Sequence, residues 1–193
     1  MTTSFLAGDK IDMKNYKDWS YLVEVEIGTP PQKFMMGPDT ITTDSWVLSK
    51  NCWSLVCFWR SLYDSKKSTT YVADEAPFLK QMYDFLGGAA VGNISQDTFA
   101  LSGTNLVAEN FKFGEITKLY GNDFVYNGFD GVLGLAYNTN NQSISGLDPF
   151  LHQASPQDKS FSLYLMKEPQ ASYMVVPGMD EDNFEVIREH KVH

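Results

Sequence analysis

From Trp19 to Ile27 the chain alternates: Tyr21, Val23, Val25 and Ile27 share one face, with Leu22, Glu24 and Glu26 between them. A period of two predicts a half-buried strand. Gly28-Thr29-Pro30-Pro31-Gln32 then predicts a turn, because glycine tolerates positive φ and proline has no N–H for a ladder. Lys33 to Met36 resumes the strand and closes a hairpin, and Asp39 lies just beyond it. Ser45 to Ser49 reads as a short strand, followed by a loop with two cysteines and a polar stretch from Tyr63 to Tyr71. Strand-like runs recur at Phe78–Tyr83, Ala89–Ile94, Asp97–Leu101, Asn105–Phe113 and Asp123–Tyr126, with Gly87-Gly88 where a hairpin tip belongs. Asp148 to Gln153, with Pro149 in its first turn, is the best helical signal. Phe161–Met166 and Tyr173–Val176 complete the strands. Short, regularly spaced strands with little helix predict an all-β fold, a closed or partly closed barrel carrying one or two short helices. Met1 to Lys10 shows no periodicity, so residues 1–15 read as a flexible lead-in, 16–187 as one organised unit and 188–193 as a tail.

With 193 residues and 43% apolar content the chain can bury the core of a single domain. Its 24 acidic and 15 basic residues give a formal charge of −9. No basic stripe is present to neutralise phosphates, so nucleic acid and anionic membranes are disfavoured as partners. No run approaches the roughly 18 apolar residues of a membrane span. Met1 to Ile11 also lacks the basic start and apolar centre of a secretory leader, which leaves an intracellular protein or a mature form. Cys52 and Cys57 are the only cysteines. They can close a small disulfide, worth about 2 kcal/mol by loop entropy, or stay as two thiols. A zinc site is poorly supplied, since His152, His190 and His193 are far away in sequence. Asn93-Ile94-Ser95 and Asn141-Gln142-Ser143 are glycosylation sequons, which fit a secretory route.

Five separated stretches carry a resemblance. Tyr21 to Gln32 includes Ile27-Gly28-Thr29-Pro30-Pro31-Gln32; Asp39-Thr40-Ile41-Thr42 leads into Ser45-Trp46-Val47; Cys52 and Cys57 follow. Tyr83 precedes a glycine-rich tip and Ser95-Gln96-Asp97-Thr98, and Phe129-Asp130-Gly131-Val132-Leu133-Gly134-Leu135 comes last. In this order and spacing the chain resembles the amino-terminal lobe of a pepsin-like aspartic peptidase. The resemblance implies that Asp39 is the active-site carboxylate, supported by Thr40 and Thr42; the alternative is a carboxylate kept as a turn cap that accepts backbone N–H bonds without chemistry. It implies that Tyr83 and the Gly87-Gly88 tip form a flap over a cleft shared with Trp46, with Asp84 at the flap where the family pattern has a glycine, and that Cys52 and Cys57 pair; cross-strand packing of Tyr83 on Trp46 is the alternative for that residue. It implies no cofactor and no metal, and a secreted or lysosomal/vacuolar setting. The matching ends near Val175-Val176-Pro177-Gly178-Met179-Asp180, similar to the point where the family's first lobe gives way to its second.

The chemistry of that family needs two carboxylates sharing a proton, because like charges a few Å apart cannot both ionise. Asp39 supplies one, and no second Asp-Thr-Gly-like site follows. Asp97-Thr98 reads as a solvent-facing pair. Ile41 replaces the glycine of the family pattern with a β-branched residue that resists left-handed backbone and adds bulk. Pro38 places a residue without an N–H in a strand that should be central, and Asp84 puts a charge beside the flap. The expectation is a non-catalytic module that binds a peptide or protein. Its partner is a second copy, a separate second lobe or a full-length peptidase. The alternative is a homodimeric acid endopeptidase with one Asp39 from each chain.

Overall fold

The computed structural model describes residues 8–82, 88–121, 124, 127–137 and 146–180. Among them ten strands join in one sheet: β1 (Asp9–Tyr16), β2 (Ser20–Ile27), β3 (Gln32–Asp39), β4 (Trp46–Leu48), β5 (Val72–Met82), β6 (Gly88–Leu101), β7 (Val107–Tyr120), β8 (Gly131–Gly134), β9 (Ser162–Tyr164) and β10 (Ser172–Val176). One short helix, α1 (Phe150–Gln153), covers the predicted helical position. The strand order is β5-β6-β7-β4-β8-β3-β2-β1-β10-β9, and β2 also pairs with β6 through Ile27↔Phe99 and Val25↔Leu101. Strands β6, β7, β4, β8, β3 and β2 thereby form a partly closed ring, and the fold is all-β as expected.

The amino-terminal segment departs from the expectation of a flexible lead-in over residues 1–15. Asp9 to Tyr16 is a strand, with Ile11 and Met13 each 7% exposed. It pairs with β10 through Ile11↔Met174 and with β2 through Lys14↔Leu22. Two apolar positions between charged neighbours are too short a signal to read as a strand. Partners distant in sequence supply the ladder and the apolar cover. Similarly, the runs Ala89–Ile94 and Asp97–Leu101 are one strand of 14 residues, β6, with no turn between them. The predicted strand Asp123–Tyr126 lies almost entirely outside the described residues, as does the tail 188–193.

Two cores meet at the centre of the sheet. Val47 and Leu133 point into one with Phe34, Met36, Phe99 and Phe113. Trp46, Leu48 and Val132 point into the other with Phe78, Ile116 and Phe124. Strands β4 and β8 are therefore buried on both faces, which is why neither shows polar alternation. Each has a parallel neighbour: β4 runs parallel to β7 and β8 parallel to β3.

Pro38 fits its strand for a topological reason. The β2–β3 ladder ends at Val23↔Met36, because β2 turns away to pair with β1 from Leu22. Beyond that point β3 has, among the described strands, only β8 beside it, with Pro38 opposite Leu133. Proline thus occupies a one-sided stretch of strand, the position where a missing N–H is tolerated.

Candidate active site

The parallel pairing of β3 with β8 fixes the place of Asp39, which ends β3 opposite Gly134. The chain then folds back on the carboxylate. Ile41 N–H donates to Asp39 Oδ1 at 2.8 Å and Thr42 N–H to the same oxygen at 3.3 Å, while the Thr42 hydroxyl donates to Oδ2 at 2.5 Å. The loop is zipped to the strand after β8, since Leu135 N–H donates to the Asp39 carbonyl (2.8 Å) and Ala136 N–H to the Thr42 carbonyl (3.2 Å). Close approach is required for this. A Cβ at Gly134 would overlap the Thr43 carbonyl oxygen, and one at Gly131 would overlap that of Trp46.

Ile41 does not behave as its residue type suggests. Its side chain is 79% exposed. Its backbone is not left-handed, the positive-φ non-glycine residues among those described being Lys17, Asp18, Glu75 and Ser155. Within this chain the position makes no demand for glycine.

A cleft of about 310 Å³ opens beside Asp39, lined by Trp19, Tyr21, Pro38, Phe129 and Leu163 among others. A second hollow, of about 690 Å³, lies on the Thr40 side against Leu135, Tyr137, Leu151, His152 and Phe161. Thr40, Thr42 and Asp39 are thus together between two apolar recesses. Trp46 is not in either. It is 1% exposed and packs edge-on against Phe124 and Phe129 at 6.0 and 5.8 Å, so it backs the cleft through Phe129. Of the flap residues, Tyr83, Asp84 and Gly87 lie outside the described residues. Gly88 starts β6 opposite Met82.

Cys52 and Cys57 form a disulfide, which removes the two-thiol alternative. Asn93 is exposed on β6, and Asn141 lies outside the described residues. No group of three or more His, Cys, Asp or Glu side chains that could hold a metal occurs among the described residues.

Asp97 corrects the expectation of a solvent-facing Asp97-Thr98 pair. It is fully buried and accepts from the Tyr63 hydroxyl (2.5 Å), the Thr70 hydroxyl (2.5 Å) and Thr98 N–H (2.8 Å). The two hydroxyl donors come from a loop far away in sequence, so alternation alone could not place it. Burial, then the bond to the Asp97 carboxylate, pushes the Tyr63 phenol far above its ordinary value. Glu115 was given no role by the sequence; it is buried and accepts from Ser49 Oγ (2.6 Å) and Ser95 Oγ (2.9 Å). Asp130 is a further buried acid, 6% exposed. Its Oδ2 accepts from Met35 N–H and its Oδ1 from Ser61 N–H, both at 2.9 Å, tying β3 to the segment after the disulfide. The signal for Asp130 was present in the Phe-Asp-Gly block, whereas nothing marked Glu115.

Comparison with known proteins agrees with this geometry. The sequence profile described as "Eukaryotic aspartyl protease" matches residues 20–186. Cathepsin D of Gallus gallus is 38% identical over 165 residues, 82% of this chain and 40% of that protein. Probable vacuolar protease A of Trichophyton verrucosum is 31% identical, over 92% of this chain and 44% of its own length. Cyprosin of Cynara cardunculus is 35% identical, over 92% and 38% respectively. The chain spans about two fifths of the length of these relatives. A carboxylate at a strand end, clasped by the loop that follows it and backed by the Phe-Asp-Gly block, and a profile match over residues 20–186 place this chain in the eukaryotic aspartyl protease family.

Proposed function

We propose that this chain is the peptide-binding half of an aspartic-peptidase-type cleft and that, on its own, it binds its ligand without cleaving it. One observation carries this reading: among the described residues lining the cleft, Asp39 is the only carboxylate. Amide hydrolysis of this type needs a second one within a few Å, to share a proton and divide the roles of base and acid. The apolar recesses on either side of Asp39 and Thr40 suit the side chains of an extended peptide. The relative named as a probable vacuolar protease and the disulfide support an oxidising, vacuolar, lysosomal or secreted setting, in which the exposed Asn93 carries a glycan.

The intact clasp on Asp39 favours a second reading. Both carboxylate oxygens are held by Ile41 and Thr42. A second Asp39 brought up across a twofold axis, or a carboxylate from a separate lobe, completes the pair and makes an acid endopeptidase. Incubation of the chain with an unfolded protein across roughly pH 3 to 6, beside Asp39→Asn, decides between them. Binding without cleavage, equal for both proteins, is the expected result. Cleavage by the wild type that disappears in Asp39→Asn sinks the first reading and establishes the second.

A further inference from the structure

Four of the large exposed apolar residues stand together in one segment of this chain. Trp53, Leu55, Phe58 and Trp59 fall within a seven-residue segment, and each leaves 65% to 77% of its surface in solvent. The segment contains the Cys52–Cys57 disulfide and a 3-10 turn from Leu55 to Trp59. It is fastened to β7: Trp53 N–H donates to the Thr117 carbonyl (3.2 Å), and Ser54 Oγ both accepts from Leu119 N–H (2.9 Å) and donates to its carbonyl (3.2 Å). The rings are therefore held out from the body on a braced projection, with the Cys57 side chain buried beneath.

The stretch of sequence that carries this projection is locally basic, against the acidic balance of the chain as a whole. Between Trp46 and Tyr71 stand Lys50, Arg60, Lys66 and Lys67 against a single acid, Asp64; Lys50 pairs with that acid at 2.6 Å and Arg60 donates to the Phe124 and Asn127 carbonyls, so Lys66 and Lys67 carry the excess. Lys118 adds a further cation, its ammonium 4.2 Å from the Trp53 ring and 4.3 Å from that of Tyr120. The net charge of −9, which argues against anionic surfaces for the chain as a whole, conceals this local excess.

We propose that the Trp53–Trp59 projection is an interfacial anchor that seats the protein on an anionic lipid bilayer. Tryptophan and tyrosine rings favour the boundary between headgroups and acyl chains, and lysines beside them reach acidic headgroups. Bulky side chains that project, rather than line a groove, suit a deformable bilayer that needs no matching pocket. The acidic remainder of the molecule is repelled by the same surface, which orients it projection first.

The test uses the full chain with vesicles of phosphatidylcholine alone and with about 30% phosphatidylserine. Co-sedimentation and tryptophan emission are the readouts. Binding and a blue shift are expected with the anionic vesicles only, weakening as salt rises. Phe58→Ser with Trp59→Ser lowers the partition by about tenfold or more, while circular dichroism and the urea midpoint stay unchanged because both rings are exposed. Absence of wild-type binding at low salt overturns the proposal, as does equal binding by the double variant. So does a wild-type dimer that the double variant dissolves without any vesicle binding, which assigns the surface to a protein contact.

Discussion

Replacing Asp130 by asparagine tests whether the acid of the Phe-Asp-Gly block positions the strand that carries Asp39. Asp130 is 6% exposed and takes one backbone N–H on each oxygen, from Met35 and from Ser61. Asparagine has one acceptor oxygen. Whichever way the amide turns, its NH2 faces a backbone N–H, so one bond is lost outright and the other becomes a neutral one. A hydrogen bond to a charged group contributes about 1.5–3 kcal/mol, and a neutral one about 1 kcal/mol. Loss of the first and weakening of the second together cost about 2–5 kcal/mol. The amide is easier to bury than the carboxylate, which offsets about 1–2 kcal/mol. The net expectation is a loss of about 2 kcal/mol, in the upper range of single substitutions. With a urea slope of roughly 2 kcal/mol/M the midpoint falls by about 1 M. Urea titration followed by the fluorescence of Trp46, which is 1% exposed, provides the assay. The slope should not change, and peptide binding in the cleft should weaken in parallel, because Met35 lies on the same strand as Asp39. A midpoint shift below about 0.3 M would refute the reasoning by showing that these bonds are replaceable by water.

Ile41→Gly should destabilise the chain by less than about 1 kcal/mol, through the greater freedom of glycine in the unfolded state. A clear gain in the urea midpoint would show that Ile41 is strained after all. Cys52→Ser with Cys57→Ser should cost about 2 kcal/mol, the loop-closure value for so short a span, read as a midpoint shift that added reductant reproduces in the wild type. Lys112 lies 2.9 Å from Asp74, and its hydrogen bond holds the Asp74 carboxyl below the ordinary value of 3.8. A depressed folded pKa stabilises above the unfolded value and is lost as pH falls through the folded one. The small stability gap between wild type and Lys112→Met should therefore be present at neutral pH and close on acidification below about 4. A gap that widens in acid contradicts the assignment.

The hairpin around Gly28, the strand ending near Asp39 and the short helix at Phe150 were legible because each depends on neighbours in sequence. Alternation over Tyr21–Ile27 and a proline-rich turn sufficed for the first, and Pro149 for the last. Strand β1 was not legible, since Ile11 and Met13 acquire their burial from β10, about 160 residues away. The buried acids failed for the same reason. Asp97 looks like any surface aspartate until Tyr63 and Thr70 are brought against it, and Glu115 until Ser49 and Ser95 are. Period-two reading assumes one wet face, and β4 and β8 have none.

Ile41 shows where residue identity and local structure part company. The glycine expected by resemblance suggested a loop that a β-branched residue would break. The loop is instead fixed by bonds that any residue but proline at 41 allows: the N–H of 41 to Asp39, Thr42 to both carboxylate oxygens, and Leu135 and Ala136 to backbone carbonyls. None involves a side chain at 41, so the substitution leaves the carboxylate held. Its side chain stands 79% in solvent two residues after Asp39. The bulk therefore falls outside this half of the cleft, on whatever approaches to bring a second carboxylate. The obstacle to catalysis under the first reading lies in forming the pair rather than in presenting Asp39. A partner able to accommodate an isoleucine at that point would meet a carboxylate already in place.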